Sequence, residues 1–205
     1  KVVGQVLRCA TYLPKLLALN VGEGDLRFDT NSFYLSFKKH LDVTRKLSIL
    51  GKTDNAVDTV RVFKAIDSAC EAQPNFFPEA GKSFWDREGM REFLCDYTFH
   101  SDDYRILLAL ESEWGTRASP KQTVKKVMAD FKKVVNMAAP IKVMVFAYTN
   151  QANEKECLEA MQALIYKWPQ HIVGTLLAIS CPWDDEMYSE SVSGYSWKNG
   201  SWEDI

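Results

Sequence analysis

The spacing of apolar residues predicts that the first part of the chain is helical. Apolar side chains recur at the period of an amphipathic helix over residues 31–50 and 55–72. Residues 6–19 have the same spacing, although Pro14 should break or kink a helix there. We therefore expect residues 1–75 to form a mostly helical N-terminal region.

From residue 92 onward, strand-like alternation gives way to a succession of helices and strands. The alternation over 92–99 and the apolar run over 105–114 predict two strands joined by a turn at 100–103. The later segments are predicted to be a helix over 119–137, a strand over 142–148, a helix over 153–168 and a strand over 171–179. This order predicts an α/β core over 76–180, in which a mixed sheet combines an antiparallel hairpin with strands connected through helices.

Two local signals refine the boundaries of these elements. Ser119 and Pro120 have the residue types of a helix N-cap and first helical position. Asn199-Gly200 is typical of a tight hairpin turn within the aromatic tail, residues 181–205. Because this tail lacks interleaved lysine and arginine, we predict that it packs as a strand or hairpin and does not stack on bases.

Composition narrows the classes of function. The chain has 205 residues, of which 46% are hydrophobic and 25% are charged, and its formal net charge is −2. Any nucleic-acid binding must therefore come from a local basic patch. The five cysteines contain no C-x-x-C pair, which favours reduced thiols in a cytoplasmic protein. No apolar run approaches the roughly 18–20 residues of a membrane span, and the start of the chain is unlike a signal peptide, so we expect no membrane partner.

The candidate chemistry begins with an acidic pair at the end of a predicted strand. Glu111 and Glu113 share one face of that strand because its side-chain period is two. Neighbouring buried carboxylates repel each other unless a cation or a proton is present. Asp96 on the preceding strand adds a third acid if its face points the same way. Such an oxygen-rich set suits Mg²⁺ or Mn²⁺, whereas the alternative is that these acids pair with basic residues at a sheet edge.

The helix that follows this strand carries cations near the acidic pair. Lys133 lies at helical spacing from Asp130 and on the same flank as Lys126, a pattern that also suits ordinary surface ion pairs. A lysine that overhangs the acids would instead orient an attacking water or stabilise phosphate charge. The opposite flank carries a second group of lysines, namely Lys121, Lys125 and Lys132.

The order of these motifs resembles the PD-(D/E)XK nuclease superfamily over residues 84–148. The resemblance rests on Asp96, then Glu111-Ser112-Glu113-Trp114, then Asp130-Phe131-Lys132-Lys133, followed by an apolar strand. It is strongest to an uncharacterised bacterial branch that has a Glu-Ser-Glu-Trp strand and an Asp-Phe-x-Lys helix. It implies a restriction-endonuclease-like fold, in which helices flank a central mixed sheet. It also implies Mg²⁺-dependent hydrolysis of phosphodiester bonds, with DNA favoured over RNA as the substrate and partner.

The resemblance also implies roles for individual residues. Asp96 and Glu111 match the metal-binding acids, with Mg²⁺ or Mn²⁺ as the cofactor, and Asp102 or Asp103 are alternatives to Asp96. Glu113 stands where the motif usually has a lysine, and it would be a further metal ligand or a general base. Lys133 would then position the nucleophile from the neighbouring helix.

The same departure at Glu113 leaves open a catalytically degenerate module that keeps the fold for binding or regulation. A homodimer is also open, because nucleases of this superfamily often dimerise, although the sequence contains no recognisable dimer face.

Overall fold

A computed structural model describes residues 28–48, 55–77, 95–101, 105–115, 119–169, 172–182 and 192–205. The predicted helix over 6–19 lies outside these ranges, as do Asp102 and Asp103. The elements are α1 (Thr30–Ser48), α2 (Asn55–Glu71), β1 (Tyr97–His100), β2 (Ile106–Glu113), α3 (Pro120–Asn136), β3 (Ile141–Tyr148), α4 (Gln151–Lys167), β4 (Thr175–Pro182), β5 (Ser193–Lys198) and β6 (Ser201–Asp204).

The strands form one mixed sheet in the order β1-β2-β3-β4-β5-β6. The β2–β3 and β3–β4 pairs are parallel, whereas β1–β2, β4–β5 and β5–β6 are antiparallel. The predicted α/β class and its mixed sheet are therefore confirmed. The predicted divisions at residues 75 and 180 stay predictions, and the described part of the tail adds the end of β4 and the β5–β6 hairpin to this sheet.

Helices cover the two faces of the sheet. The face that includes Leu110 and Val143 packs in one core with side chains of α1 and α2. The face that includes Ala109 and Met144 packs in a second core with side chains of α3 and α4. Every residue of β3 is buried, as expected for a central parallel strand covered on both faces. Glu111 belongs to the face covered by α3 and α4, because it lies two residues after Ala109.

Capping and turn chemistry explain two of the confirmed boundaries. The Ser119 hydroxyl accepts the Gln122 backbone N–H at 3.3 Å, and Pro120 occupies the start of α3. Asn199 and Gly200 have φ values of 52° and 83°, as a two-residue hairpin turn requires.

The strand β1 begins at Tyr97, whereas the prediction began at residue 92; residues 92–94 of that prediction lie outside the described ranges. Cys95 and Asp96 form a bend, and pairing begins at Tyr97 opposite Leu110. The Asp96 carboxylate accepts the Ser112 backbone N–H at 2.8 Å. In a longer β1, a backbone carbonyl would accept this N–H instead. The bend also places Cys95 in the α3–α4 core and Tyr97 in the α1–α2 core, whereas two residues that are two positions apart in an unbroken strand would share one face.

The strand β4 spans Thr175–Pro182, so the prediction of residues 171–179 was shifted. The cause is Gly174, which has a φ of 85° and lies against Pro140. The Thr175 backbone N–H donates to the Pro140 carbonyl at 2.8 Å, and regular pairing starts at Thr175 opposite Ile141.

Gly174→Ala is expected to lower the free energy of unfolding by roughly 2–5 kcal/mol, because positive φ and overpacking act together. A Cβ at Gly174 would lie 2.1 Å from the Pro140 carbonyl oxygen. Gly200→Ala is the matched control, since Gly200 has nearly the same φ but its added Cβ would meet no atom nearer than Tyr166 Oη at 3.9 Å. It should lose only about 1–2 kcal/mol. Urea unfolding measures both variants, and equal losses would contradict this packing argument.

Two further observations concern thiols and membranes. Cys70, Cys95, Cys157 and Cys181 are buried free thiols.

Among the helices that the structure describes, none combines the length and the apolarity needed to cross a membrane.

Candidate active site

Glu111 is a buried acid near the end of β2. Its side chain is only 2% exposed, and the strand places it opposite Met144 of β3, beneath α3. Its Oε1 is buried and has no hydrogen-bond partner. A buried carboxylate oxygen without a donor is costly, so this position is a place where an incoming cation or donor would be favoured.

Lys133 of α3 lies directly beside this carboxylate. Lys133 Nζ is 3.4 Å from Glu111 Oε1, an ion pair without hydrogen-bond geometry, and it donates a long 3.5 Å hydrogen bond to Oε2. The same ammonium is 2.6 Å from Asp130 Oδ1, one helical turn earlier. Because α3 directly follows β2 and packs on the face that carries Glu111, the helix brings Lys133 to the acid.

The pKa values of Glu111 and Lys133 are shifted for different physical reasons. Burial and, to a lesser degree, the Asp96 carboxylate raise the pKa of Glu111 to about 8, against the opposing effect of Lys133. The hydrogen bond to Asp130 raises the pKa of Lys133, and Glu111 adds to that effect. The pKa values of both partners can be raised because Glu111 is almost wholly desolvated, whereas Lys133 is about half-exposed and contacts two acids. At neutral pH the site therefore favours a proton on Glu111 and a charge on Lys133.

Asp96 joins Glu111 from the neighbouring strand. If the register of Tyr97 with Leu110 is continued by one residue, Asp96 stands opposite Glu111. Its Oδ2 accepts the Ser112 backbone N–H at 2.8 Å and the Ser112 hydroxyl at 3.1 Å. These bonds fix the Asp96 carboxylate at the edge of the site, near enough to influence the titration of Glu111.

Glu113 is held at the exit of β2 by other partners. Its Oε1 accepts the Gly115 backbone N–H at 2.6 Å and lies 3.9 Å from Lys126 Nζ. Burial raises the pKa of Glu113, and a hydrogen bond with Asp130 acts in the same direction. Asp130 thus lies beside both Glu113 and Lys133, whereas the contacts of Glu113 lie apart from those of Asp96.

The sequence did not reveal two neighbours of the acidic pair. The Cys95 thiol hydrogen-bonds with Glu111, and burial raises the pKa of Cys95 to about 12, so the thiol stays neutral. No sequence signal marks this contact, because it depends on the bend before β1. The spacing of Asp130 to Lys133 did predict their ion pair, but the contact of Asp130 with Glu113 crosses from helix to strand.

Another lysine near this face of the sheet, Lys142, is buried and has a different environment from that of Lys133. Lys142 Nζ donates to the carbonyls of Ala139 and Val173, each at 2.9 Å, and burial lowers the pKa of Lys142. These carbonyls satisfy the ammonium at the start of β3. We assign Lys142 a structural role, because Lys133 is the lysine that contacts Glu111.

The acids suit one type of metal site and not another. Within the described ranges, no three His, Cys, Asp or Glu side chains are arranged as a metal-binding group. Mg²⁺, however, commonly uses one or two carboxylates and takes its other ligands from water and substrate phosphate. Asp96 together with Glu111, whose Oε1 lacks a hydrogen bond, fits that two-carboxylate pattern.

Comparison with known proteins adds no relative. No family model matches the chain, and no curated protein or solved structure is similar enough to count as a match. The fold and the site geometry define an α/β protein in which a buried acid of the mixed sheet, Glu111, pairs with the half-exposed Lys133 of α3. The resemblance to PD-(D/E)XK nucleases rests on the chain's own residues and stays a prediction.

Proposed function

We propose that this protein is a Mg²⁺-dependent nuclease of the PD-(D/E)XK type, with a restriction-endonuclease-like fold, that hydrolyses phosphodiester bonds. The observation that carries the proposal is the buried carboxylate of Glu111 with Lys133 Nζ at 3.4 Å and Asp96 beside it. DNA is the favoured substrate and RNA is the second. The buried free thiols support a reducing compartment such as the cytoplasm.

In this proposal Asp96 and Glu111 hold Mg²⁺, or Mn²⁺ in its place. When bound, the ion supplies a water of lowered pKa and neutralises charge on the phosphate. Lys133 carries the positive charge that positions the nucleophile or a phosphate oxygen, and its half-exposed side chain reaches both Glu111 and solvent. Glu113 acts as a general base or a further ligand, after release from its contact with Gly115.

The energetic balance of the site supports a functional role for Glu111. A buried carboxyl whose pKa is raised by desolvation lowers stability, and the neighbouring Lys133 does not offset this effect. Ionisable groups retained at such a cost are frequent in active sites, because chemistry and not stability selects them.

Metal binding and cleavage by the wild-type protein test the proposal. Calorimetry should detect Mn²⁺ binding that Asp96→Asn abolishes. Glu159→Gln should leave it unchanged, since the Glu159 side chain is 64% exposed on α4 and pairs with Lys155 at the surface. Plasmid, single-stranded DNA and RNA should be incubated with Mg²⁺, with Mn²⁺ or with EDTA. Absence of metal-dependent cleavage of all three substrates would refute the nuclease proposal.

The second candidate is a nucleic-acid-binding or regulatory module without catalysis. It is favoured by Glu113, which occupies the place of the motif lysine and whose Oε1 is already engaged by Gly115 N at 2.6 Å. Nucleic-acid binding without Mn²⁺ binding and without cleavage would establish this alternative over the first.

A further inference from the structure

The solvent side of α3 carries positive charge only. Its exposed charged residues are all lysines, namely Lys121, Lys125, Lys126, Lys132 and Lys133. The other exposed residues of the helix are Pro120, Gln122, Ala129 and Asn136. Asp130 is the one acid of the helix, and its side chain is only 16% exposed at the margin towards β2. In a chain with a net charge of −2, this is a marked local excess.

Three of these lysines form a stripe that is separate from the candidate active site. Lys126 and Lys133 contact Glu113 and Glu111, whereas Lys121, Lys125 and Lys132 make no ion pair with the part of the chain that the structure describes. The intervals of four and seven residues align these three along the helix axis over a rise of about 16 Å. We call Lys121, Lys125 and Lys132 the lysine stripe.

The lysine stripe is not explained by helix stability. Like charges four residues apart, as in Lys121 and Lys125, repel each other and destabilise a helix. On α4, which packs on the same face of the sheet, the exposed charged residues are of both signs, and Lys155 pairs with Glu159 at 3.8 Å. An ordinary solvated helix surface in this protein therefore mixes signs, and α3 differs from it.

We infer that the lysine stripe binds the sugar–phosphate backbone of the nucleic acid on which the proposed active site acts. This inference rests on the proposed function for the identity of its partner. Lysine ammonium groups act as point charges for phosphates, and their contacts do not depend on base sequence. Because Lys132 and Lys133 are separated by about 100° around the helix, one strand can contact the stripe while a phosphate reaches Lys133.

Other kinds of partner fit this surface poorly. The centre of a protein–protein interface is rich in aromatic residues and depleted of lysine. A helix that lies on a membrane needs large apolar residues next to its basic face. The exposed residues of α3 offer neither, since Ala129 and Pro120 are the apolar ones among them. By its charge, the surface fits a polyanion that does not need apolar contacts.

Salt-dependent binding tests the inference with Lys121→Gln, Lys125→Gln and Lys132→Gln combined. Fluorescence anisotropy with a short DNA duplex in EDTA measures affinity without cleavage. The triple variant should bind at least about tenfold more weakly near 100 mM salt, and the slope of log affinity against log salt should be shallower by about 2–3, since each phosphate contact contributes roughly 0.9. Single-stranded DNA and RNA form parallel arms that identify the preferred backbone.

The matched control removes three exposed lysines from elsewhere in the fold, Lys39 of α1, Lys64 of α2 and Lys198 of β5, each by substitution with glutamine. It has the same net charge as the test variant and should keep nearly the wild-type salt slope. Glutamine has a helix propensity similar to that of lysine, and circular dichroism verifies the fold of both variants.

The outcomes separate this inference from the proposed nuclease activity. If the stripe variant loses affinity and the control variant does not, the result supports nucleic-acid binding by the lysine stripe. This holds even if wild-type protein cleaves nothing and the nuclease proposal fails. Cleavage by wild-type protein with an unchanged salt slope in the stripe variant overturns the surface but leaves the activity standing. Equal weakening by both triple variants, or binding to anionic phosphatidylserine vesicles and to no nucleic acid, also overturns it.

Discussion

Replacing Glu111 by glutamine is expected to lower the rate of Mg²⁺-dependent DNA cleavage by about 100- to 1000-fold. Glutamine keeps the shape of the side chain but removes the negative charge that would bind the ion. Glu111 also lies 3.4 Å from Lys133, so its loss removes one of the two acids that hold the ammonium in place. The measurement is single-turnover nicking of supercoiled plasmid at saturating Mg²⁺.

Two further variants make this result specific. Glu159→Gln makes the same chemical change at an exposed acid on α4 and should cleave at the wild-type rate. Lys133→Met should reduce cleavage while keeping Mn²⁺ binding, because Lys133 acts on the nucleophile or the phosphate and not as a ligand. Wild-type activity in Glu111→Gln would refute the assignment of Glu111 and point to a contaminating nuclease or another site.

The periodic elements could be predicted because their signals are local. The apolar spacing of α3 and its cap at Ser119 lie within one stretch of chain, and the structure begins α3 at Pro120 as the sequence indicated. The same holds for the hairpin turn at Asn199-Gly200 and for the order of strands and helices after residue 92. Each of these features depends on neighbouring residues and on the short, ordered connections of α/β proteins.

The errors lie where distant residues decide the local backbone. The start of β1 depends on a hydrogen bond between Asp96 and Ser112, sixteen residues apart. The start of β4 depends on the contact of Gly174 with Pro140. The alternation of side chains gives no information about either contact. A pattern based on period alone therefore included the bend at Cys95 and Asp96 in the first strand and began β4 too early.

In the candidate site, too, contacts that follow from the order of the elements could be predicted, and contacts set by distant residues could not. The approach of Lys133 to Glu111 could be anticipated, because α3 follows β2 directly and the lysine lies on a flank of its buried stripe. The positions of Cys95 and Glu113 could not, because they follow from a bend and from competition among donors. The Gly115 N–H binds Glu113 at 2.6 Å, and this contact takes the acid away from the shared position that the strand period suggested.

The stability of the metal-free protein should fall as pH rises from about 4.5 to about 8, and Glu111→Gln should remove much of that fall. The pKa of Glu111 is raised from 4.5 to about 8, so between these values the folded protein holds a proton that the unfolded chain has released. A state that binds more protons loses stability when pH rises, so the free energy of unfolding declines through this window and levels off above it. Lys133 stays protonated throughout this window, because its pKa is raised as well, so it adds no pH dependence to the free energy of unfolding there.

The difference between wild-type protein and Glu111→Gln isolates this contribution. Glu113 also has a raised pKa, but it is present in both proteins, and its effect largely cancels. Relative to wild type, the variant should gain on the order of 2–4 kcal/mol in free energy of unfolding between pH 5 and pH 9. Urea unfolding in EDTA at unit pH steps measures the difference, with Glu159→Gln expected to parallel wild type.

A difference that does not change with pH would mean that Glu111 is not desolvated as its 2% exposure implies. The expected result has a further consequence for the cleavage experiment. If Glu111→Gln is at least as stable as wild-type protein at pH 8, its loss of cleavage cannot come from unfolding. A residue whose removal stabilises the fold and abolishes the activity is one that the protein keeps for its chemistry.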